Sequence, residues 1–356
     1  MRVLQMIDSL EAGGAERMTV NFANALSQTI EFSGLVVTRK EGALKEQIDS
    51  RVTYLFLNKK KAIDLHAISK LRNYIVKNKI TVIHAHSSSF FLAVLLKFTL
   101  PKIKIAWHDH YGKRIHESKV KNSVLVFFSV FFSSIFTVNP LLEKWNKKNM
   151  LCSKVFFIPN FAILTEETLS STFLKGTKDK RIVFLANLKN PKNHLMIVKA
   201  FENLKLSDLG WSLHLIGKDY FDEYSDSIKI FIKENHLEDN IYLYNSRNDI
   251  AYILSQATIG ILASTDEGFP VTLLEYGLVA LPVVSTNVGY CSSVIKDNIT
   301  GLLFNPLKVS EFENQILKLI SNSELRNQLG MSLNNVVSEN YAKDVVIQKL
   351  ILAYKA

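Results

Sequence analysis

The chain has 356 residues, of which 47% are apolar and 21% charged. This composition excludes a disordered chain, and the length exceeds one ordinary core while suiting two domains. The net charge of +10 is unevenly placed: residues 1–160 hold 24 Lys/Arg and 11 Asp/Glu (24 − 11 = +13), and residues 161–356 hold 19 and 22 (19 − 22 = −3).

In chain order, strands are expected at Val3–Ile7, Gly34–Thr38, Thr53–Leu57, Thr81–His84, Ile103–Trp107 and Ile135–Val138. Helical patterns lie between them at Ala15–Ser27, Leu65–Lys77, Phe90–Phe98 and Pro140–Lys148. The opening MRVLQMID, broken by Asp8 and Glu11, reads as the first strand and not as a secretory leader. The apolar run Val124–Phe136 is shorter than the about 20 residues a membrane-crossing helix needs. It is expected as a buried or surface-seeking helix. Polar, aperiodic text at Thr165–Lys180 marks a linker.

Strands resume at Ile182–Leu185, Leu213–Ile216, Ile241–Tyr244, Ile259–Leu262 and Val283–Ser285, with helices at Asn193–Leu204, Tyr224–Glu234 and Pro270–Leu278. Beyond Pro306 only helices follow, at Ser310–Ile320, Glu324–Ser338 and Ala342–Tyr354. Apolar strands alternating with helices indicate parallel sheets covered on both faces. The fold class is therefore α/β, with two Rossmann-like doubly wound domains facing across a cleft, where such folds bind ligands. The first domain is expected over 1–164 and the second over 165–339, with the helix at about 340–356 packing back on the first.

The basic runs Lys59-Lys60-Lys61, Lys113-Arg114 and Lys119/Lys121 suggest a first half that meets something anionic, a nucleic acid or a bilayer face. A plain solvated lysine surface is the alternative. Cys152 and Cys291 match no metal or disulfide spacing and read as reduced, buried residues, which suits a cytoplasmic address.

The segment after the Ile259–Leu262 strand carries the densest chemistry. Asp266, Glu267 and Gly268 form a loop, and Pro270 stands near the first helical position, where its missing N–H costs nothing. The backbone N–H groups from Gly268 through Phe269 and Val271 to Thr272 then form an anion site at a helix start. Glu267 precedes it and Glu275 follows about one and a half turns later. Carboxylates in such places accept hydrogen bonds from sugar and ribose hydroxyls. The spacing of the two glutamates is alone a weak signal, equally read as dipole complement and solvated helix residue.

The surrounding text resembles the retaining glycosyltransferases of family four, which have the GT-B fold. EGFPVTLLE resembles their Glu-x7-Glu motif, and GLVALPVVSTNVGY their Gly-x-Pro-Val-Val strand and glycine turn. IDSLEAGGAERMTVNFANAL, FIPNFA, LKNPKNHLMIVKAF, LHLIGKD and DNITGLLFNP follow in the family's order, so the resemblance covers essentially the whole chain. It implies that Glu275 holds the nucleotide ribose and Glu267 contacts the transferred sugar, with Gly268, Phe269 and Pro270 against sugar and diphosphate. Lys192 matches the lysine that neutralises the diphosphate. The family's Gly-Arg-Leu is here Ala186-Asn187-Leu188. Either Lys189 supplies the second charge or the phosphate grip is weaker.

Gly13-Gly14 after the first strand permits close backbone approach, and by resemblance this loop faces the diphosphate and acceptor. Neither a dinucleotide fingerprint nor a P-loop is present; Gly217-Lys218 continues with Asp219. His108, in Trp107-His108-Asp109-His110, matches the family histidine beside the transferred sugar, while His84 and His86 are weaker acceptor-side candidates. A zinc site from His84, His86, His108 and His110 has no enforcing spacing.

The resemblance implies same-face substitution in which the leaving phosphate helps deprotonate the acceptor hydroxyl. No metal or cofactor is expected, and no nucleic acid partner; the donor is a nucleotide-diphosphate sugar. Base contacts are expected near Gly217 and Asn245–Asp249. The basic first domain and Val124–Phe136 suit peripheral attachment to the inner membrane face and a lipid-linked glycan acceptor, as in capsule, O-antigen or exopolysaccharide synthesis. Rival readings are a sugar-nucleotide epimerase of the same fold and an inactive binding partner, the latter favoured by Asn187.

Overall fold

The structure is a computed structural model that describes residues 1–11, 13–117, 120–164 and 171–356, with the backbone alone at Lys113. The expectations for Lys119, for the Lys113 side chain and for the linker at 165–170 fall outside the described residues. The chain divides into two units, residues 1–161 with 343–356 and residues 162–342.

Unit 1 is built on β1 (Arg2–Ser9), β2 (Phe32–Lys40), β3 (Thr53–Phe56), β4 (Val82–His86), β5 (Lys104–Asp109), β6 (Ser134–Thr137) and β7 (Val155–Phe157). They pair in parallel in the order β3-β2-β1-β4-β5-β6-β7. The strand order reverses between β1 and β4, so the carboxyl ends of those two strands open a crevice. The helices are α1 (Gly14–Ser27), α2 (Leu65–Lys77), α3 (Phe90–Lys97), α4 (Ser123–Phe128) and α5 (Pro140–Asn149). Their starts follow local chemistry: Asp64 caps α2 by accepting from the Ala67 N–H, and Asn139 caps α5 ahead of Pro140. Even-numbered β1 residues Leu4 and Met6 face one apolar layer with α2 and α3. Odd-numbered Ile7 faces another with α1.

The run Val124–Phe136 is not one helix. It divides into α4, a 3-10 turn at Ser129–Phe131 and the start of β6. Leu125 and Phe132 are buried, while Val124, Phe127 and Val130 stay exposed. An apolar run this short is ambiguous between helix and strand, and here the sheet claims its end, from Ser134 onward. Two of the expected basic surface groups also lie inside: Lys59 is buried with its ammonium near the Ala62 carbonyl, and Arg114 pairs with buried Asp109 at 2.7 Å.

Unit 2 holds β8 (Arg181–Leu185), β9 (Ser212–Ile216), β10 (Ile241–Tyr244), β11 (Ile259–Leu262), β12 (Val283–Thr286) and β13 (Leu302–Phe304). The parallel order is β10-β9-β8-β11-β12-β13, reversing between β8 and β11. Its helices are α6 (His194–Asn203), α7 (Glu223–Glu234), α8 (Ile250–Ser255), α9 (Val271–Leu278), α10 (Cys291–Val294), α11 (Val309–Ser321) and α12 (Ser323–Asn340). The helix α13 (Lys343–Lys355) belongs to unit 1, where it packs near α1 and buries Tyr354. Among the described residues no helix is long and apolar enough to cross a membrane.

Candidate active site

In unit 2 the loops after β8 and β11 meet at the reversal of strand order. The loop after β8 presents Lys192 and the loop after β11 presents Glu267; the two are joined where the Thr265 N–H donates to the Pro191 carbonyl at 2.9 Å. Lys192 Nζ lies 2.5 Å from Glu267 Oε1, which also accepts from the Ser264 hydroxyl at 2.7 Å. Both charged groups are largely buried, so each raises the cost of leaving the other unpaired. The carboxylate is thereby oriented, and the ammonium is held at the C-terminal edge of the sheet.

Gly289 shapes the same loop from behind. It adopts φ +57°, and a Cβ there would stand 1.6 Å from the Glu267 carbonyl oxygen, so only glycine fits. Cys291, one turn on, is fully buried; desolvation pushes its thiol up and the charge of Glu267 adds to the rise. It is a packing residue and not a nucleophile.

Pro270 occupies the cap position of α9, and Val271 is its first helical residue. Phe269 is buried against Tyr290 (centroids 5.1 Å apart) and Tyr341 (5.8 Å), which anchors the Gly268–Val271 backbone. Glu275 is not a solvated helix residue: it is 7% exposed. Tyr276 beside it fastens α9 to the sheet. Its hydroxyl accepts from the Leu185 N–H and donates to the Ile261 carbonyl, both at 3.0 Å. Its ring lies over Gly260, where a Cβ would approach within 2.8 Å.

Asn187, Lys189 and Gly217 form a neighbouring group. Asn187 Oδ1 accepts from the Lys218 N–H at 2.9 Å, so the side chain that replaces the family arginine ties two loops together. A Cβ on Gly217 would meet the Ala186 carbonyl oxygen at 2.1 Å, which accounts for the glycine. Lys189 and Lys218 flank the Tyr220 ring, with ammonium-to-centroid distances of 5.6 and 4.9 Å. Asp249, in the segment expected to contact a base, is buried and accepts from the Ser171 and Thr172 N–H groups at 2.9 and 2.7 Å. Its carboxylate is spent on anchoring residues 171–172.

The remaining candidates lie in unit 1. Gly13 caps α1 in an extended conformation and Gly14 opens the helix with free space where a Cβ would be. His108, expected beside a transferred sugar, has no exposed surface; the histidine of this strand end that reaches solvent is His110. A period-two count from a strand end does not say which of two same-face residues is capped by neighbours. Burial holds His84, His86 and His108 neutral, well below the ordinary histidine range, and holds His110 at about 3. One ring nitrogen from each of His84, His86 and His108 lies within 4.8 Å of the others.

Tyr276 and Ser264 carry no sequence signal of a site role by residue type; only their place around the glutamate motif singles them out, whereas Gly289 is the glycine turn of the resemblance. Gln5 is the other residue that sequence reasoning missed, since an isolated amide inside an apolar strand has no pattern.

Residues 12–161 match glycosyltransferase family 4 and residues 165–333 match the glycosyl transferases group 1. The chain is 23% identical over 351 residues to an uncharacterized glycosyltransferase of Haemophilus influenzae, covering 95% of each chain. It is 22% identical over 354 residues to an Escherichia coli UDP-Gal:alpha-D-GlcNAc-diphosphoundecaprenol alpha-1,3-galactosyltransferase, covering 90% of each. Among solved structures, Anabaena HepE in complex with UDP and glucose superposes with a TM-score of 0.82 at 16% identity over 100% of both chains. The two family matches together span most of the chain, which belongs to the glycosyltransferases of family four, with the GT-B fold.

Proposed function

We propose that the protein moves a sugar from a nucleotide-diphosphate sugar to a hydroxyl acceptor with retention of configuration, and that the acceptor is a lipid-linked glycan of bacterial capsule, O-antigen or exopolysaccharide synthesis. The observation that carries the reading is the Lys192–Glu267 pair at the β8/β11 reversal. A diphosphate entering there competes with Glu267 for the ammonium. The lysine then neutralises charge developing on the leaving nucleotide, and Glu267 is freed to accept from hydroxyls of the transferred sugar. Glu275 takes the ribose hydroxyls, the Gly268–Val271 backbone lies against sugar and diphosphate, and Lys189 supplies the second charge that Asn187 does not. Mechanistically, the leaving phosphate accepts the acceptor proton on the face it departs from, and no metal takes part.

The acceptor class is drawn from the Escherichia coli relative, whose name specifies a diphosphoundecaprenol-linked substrate. The exposed apolar side chains of Val120, Val124, Phe127 and Val130, near Lys121, support docking on the anionic inner face of a membrane.

A panel of nucleotide sugars, read by slow donor hydrolysis with and without EDTA, tests the reading. Hydrolysis of one donor that EDTA leaves unchanged and Glu275→Ala abolishes is expected. Failure to bind or turn over any donor refutes it.

A further inference from the structure

Six residues of unit 1 form one unbroken hydrogen-bond chain on the α1 side of its sheet. Gln5 lies in β1, His84 and His86 in β4, His108 in β5, His110 one residue beyond it, and Tyr354 in α13. Parallel register sets Gln5 beside His84 and His86 beside His108, so their side chains share a face. From the surface inward the links are His110 Nε2 to His86 Nδ1 (2.9 Å), His86 Nε2 to Gln5 Oε1 (2.7 Å) and Gln5 Nε2 to the Tyr354 hydroxyl (3.4 Å). They continue from Tyr354 to His84 Nδ1 (2.6 Å) and from His84 Nε2 to His108 Nδ1 (3.1 Å). The chain ends at His108 Nε2, buried with no hydrogen-bond partner among the described residues.

The amide gives this chain a direction. Its oxygen only accepts and its nitrogen only donates. His86 therefore carries its proton on Nε2 and accepts on Nδ1 from His110. Tyr354 accepts from Gln5 and donates to His84, which in turn donates from Nε2 to His108. Because burial keeps the four rings neutral, each has one N–H and one lone pair. Donation then runs one way, from His110 to His108, and all four histidines are Nε2–H tautomers. A bare Nδ1 is left at the His110 end, and at the other end a buried N–H lacks an acceptor, an arrangement that folded proteins seldom keep without a partner to complete it.

We infer that Gln5, acting through His86 and Tyr354, sets the tautomer of all four histidines, so that unit 1 presents at its surface a lone pair on His110 Nδ1 that accepts a hydrogen bond from a substrate hydroxyl. The hydroxylated character of that substrate rests on the transferase reading above; the direction of the chain does not. Gln5, His86, His84, His108 and Tyr354 are buried away from any ligand, and only the His110 end meets one.

Histidine-labelled protein in long-range 15N–1H correlation spectra at neutral pH tests the inference. Expected are Nε2–H signatures for His84, His86, His108 and His110, assigned by single replacements. In Gln5→Glu both carboxylate oxygens accept, so Tyr354 donates to residue 5 and the inner half reverses. His84 and His108 then change to Nδ1–H while His86 and His110 stay as they were. Tyr354→Phe, which removes only the hydroxyl, frees His84 and His108 to mix tautomers and keeps the outer pair fixed, should the first variant fail to fold. Nδ1–H signatures at His86 and His110 in the native protein, or stoichiometric zinc uptake by the three clustered histidines, would overturn the inference. Tautomers are read without turnover, so a protein that transfers no sugar still decides it.

Discussion

Acidification should undo unit 1 within a narrow pH window. His84, His86, His108 and His110 are neutral in the fold because burial disfavours their charged forms. In the unfolded chain they protonate near pH 6.5. The folded values lie below the unfolded one, so their cost is absent above about pH 6.5 and grows as pH falls, the unfolded state binding the extra protons. One pH unit corresponds to about 1.4 kcal/mol per histidine. At pH 5.5, four such groups withdraw roughly 5 kcal/mol, treated as independent, against a typical domain stability of about 5–15 kcal/mol. Unit 2 buries two histidines, His194 and His214, held at about 4 and about 3 by burial. Its loss over the same interval is therefore about half. Hydrogen exchange by mass spectrometry at pH 7.5 and 5.5, corrected for intrinsic rates, compares β4 and β5 with β8 and β9. Protection should fall first and furthest in β4 and β5. Equal protection at the two pH values, or earlier loss in β8 and β9, would refute the argument that these rings stay neutral.

Other outcomes follow from single contacts. Lys192→Ala should lower kcat about a hundredfold to a thousandfold, as for loss of one positioned donor to developing charge, and should do so at saturating donor in initial-rate assays. Gly289→Ala forces a Cβ onto the Glu267 carbonyl; a loss of about 2 kcal/mol or more in thermal or urea unfolding is expected. Tyr276→Phe strands the buried Leu185 N–H and should cost about 1–3 kcal/mol by the same measurement. Replacing Val124 and Phe127 by Ser should abolish pelleting with anionic vesicles without lowering the melting temperature, because both side chains are exposed. Undiminished pelleting would exclude this patch as the anchor.

The sheets were legible because their strands are short apolar runs punctuated by polar turns, a pattern that survives without tertiary context. The three-residue strands Val155–Phe157 and Leu302–Phe304 escaped it, since so few residues show no period. Glu267 and Lys192 could each be named from local text, but their ion pair joins residues 75 positions apart and exists only through the β8/β11 pairing. Burial was the least readable property. Lys59 and Glu275 are ionisable side chains yet lie buried, and Arg114 is largely covered by its pair with Asp109, which residue type alone does not reveal. The full burial of His108 could not be read from its strand-end position for the same reason. Asn187 was read as a missing charge, whereas its amide bonds to a loop backbone 31 residues away.

The placement of α13 has a consequence for how the chain is made. Residues 343–356 supply Tyr354 to the interior of unit 1, and Lys104 donates to the Tyr354 carbonyl at 3.3 Å. These residues leave the ribosome after the whole of unit 2, so the earliest-synthesised sheet waits for its last helix while a later unit is made. Completion of unit 1 thus follows synthesis of unit 2, and a nascent chain stalled before residue 343 lacks the Tyr354 hydroxyl that joins Gln5 to His84.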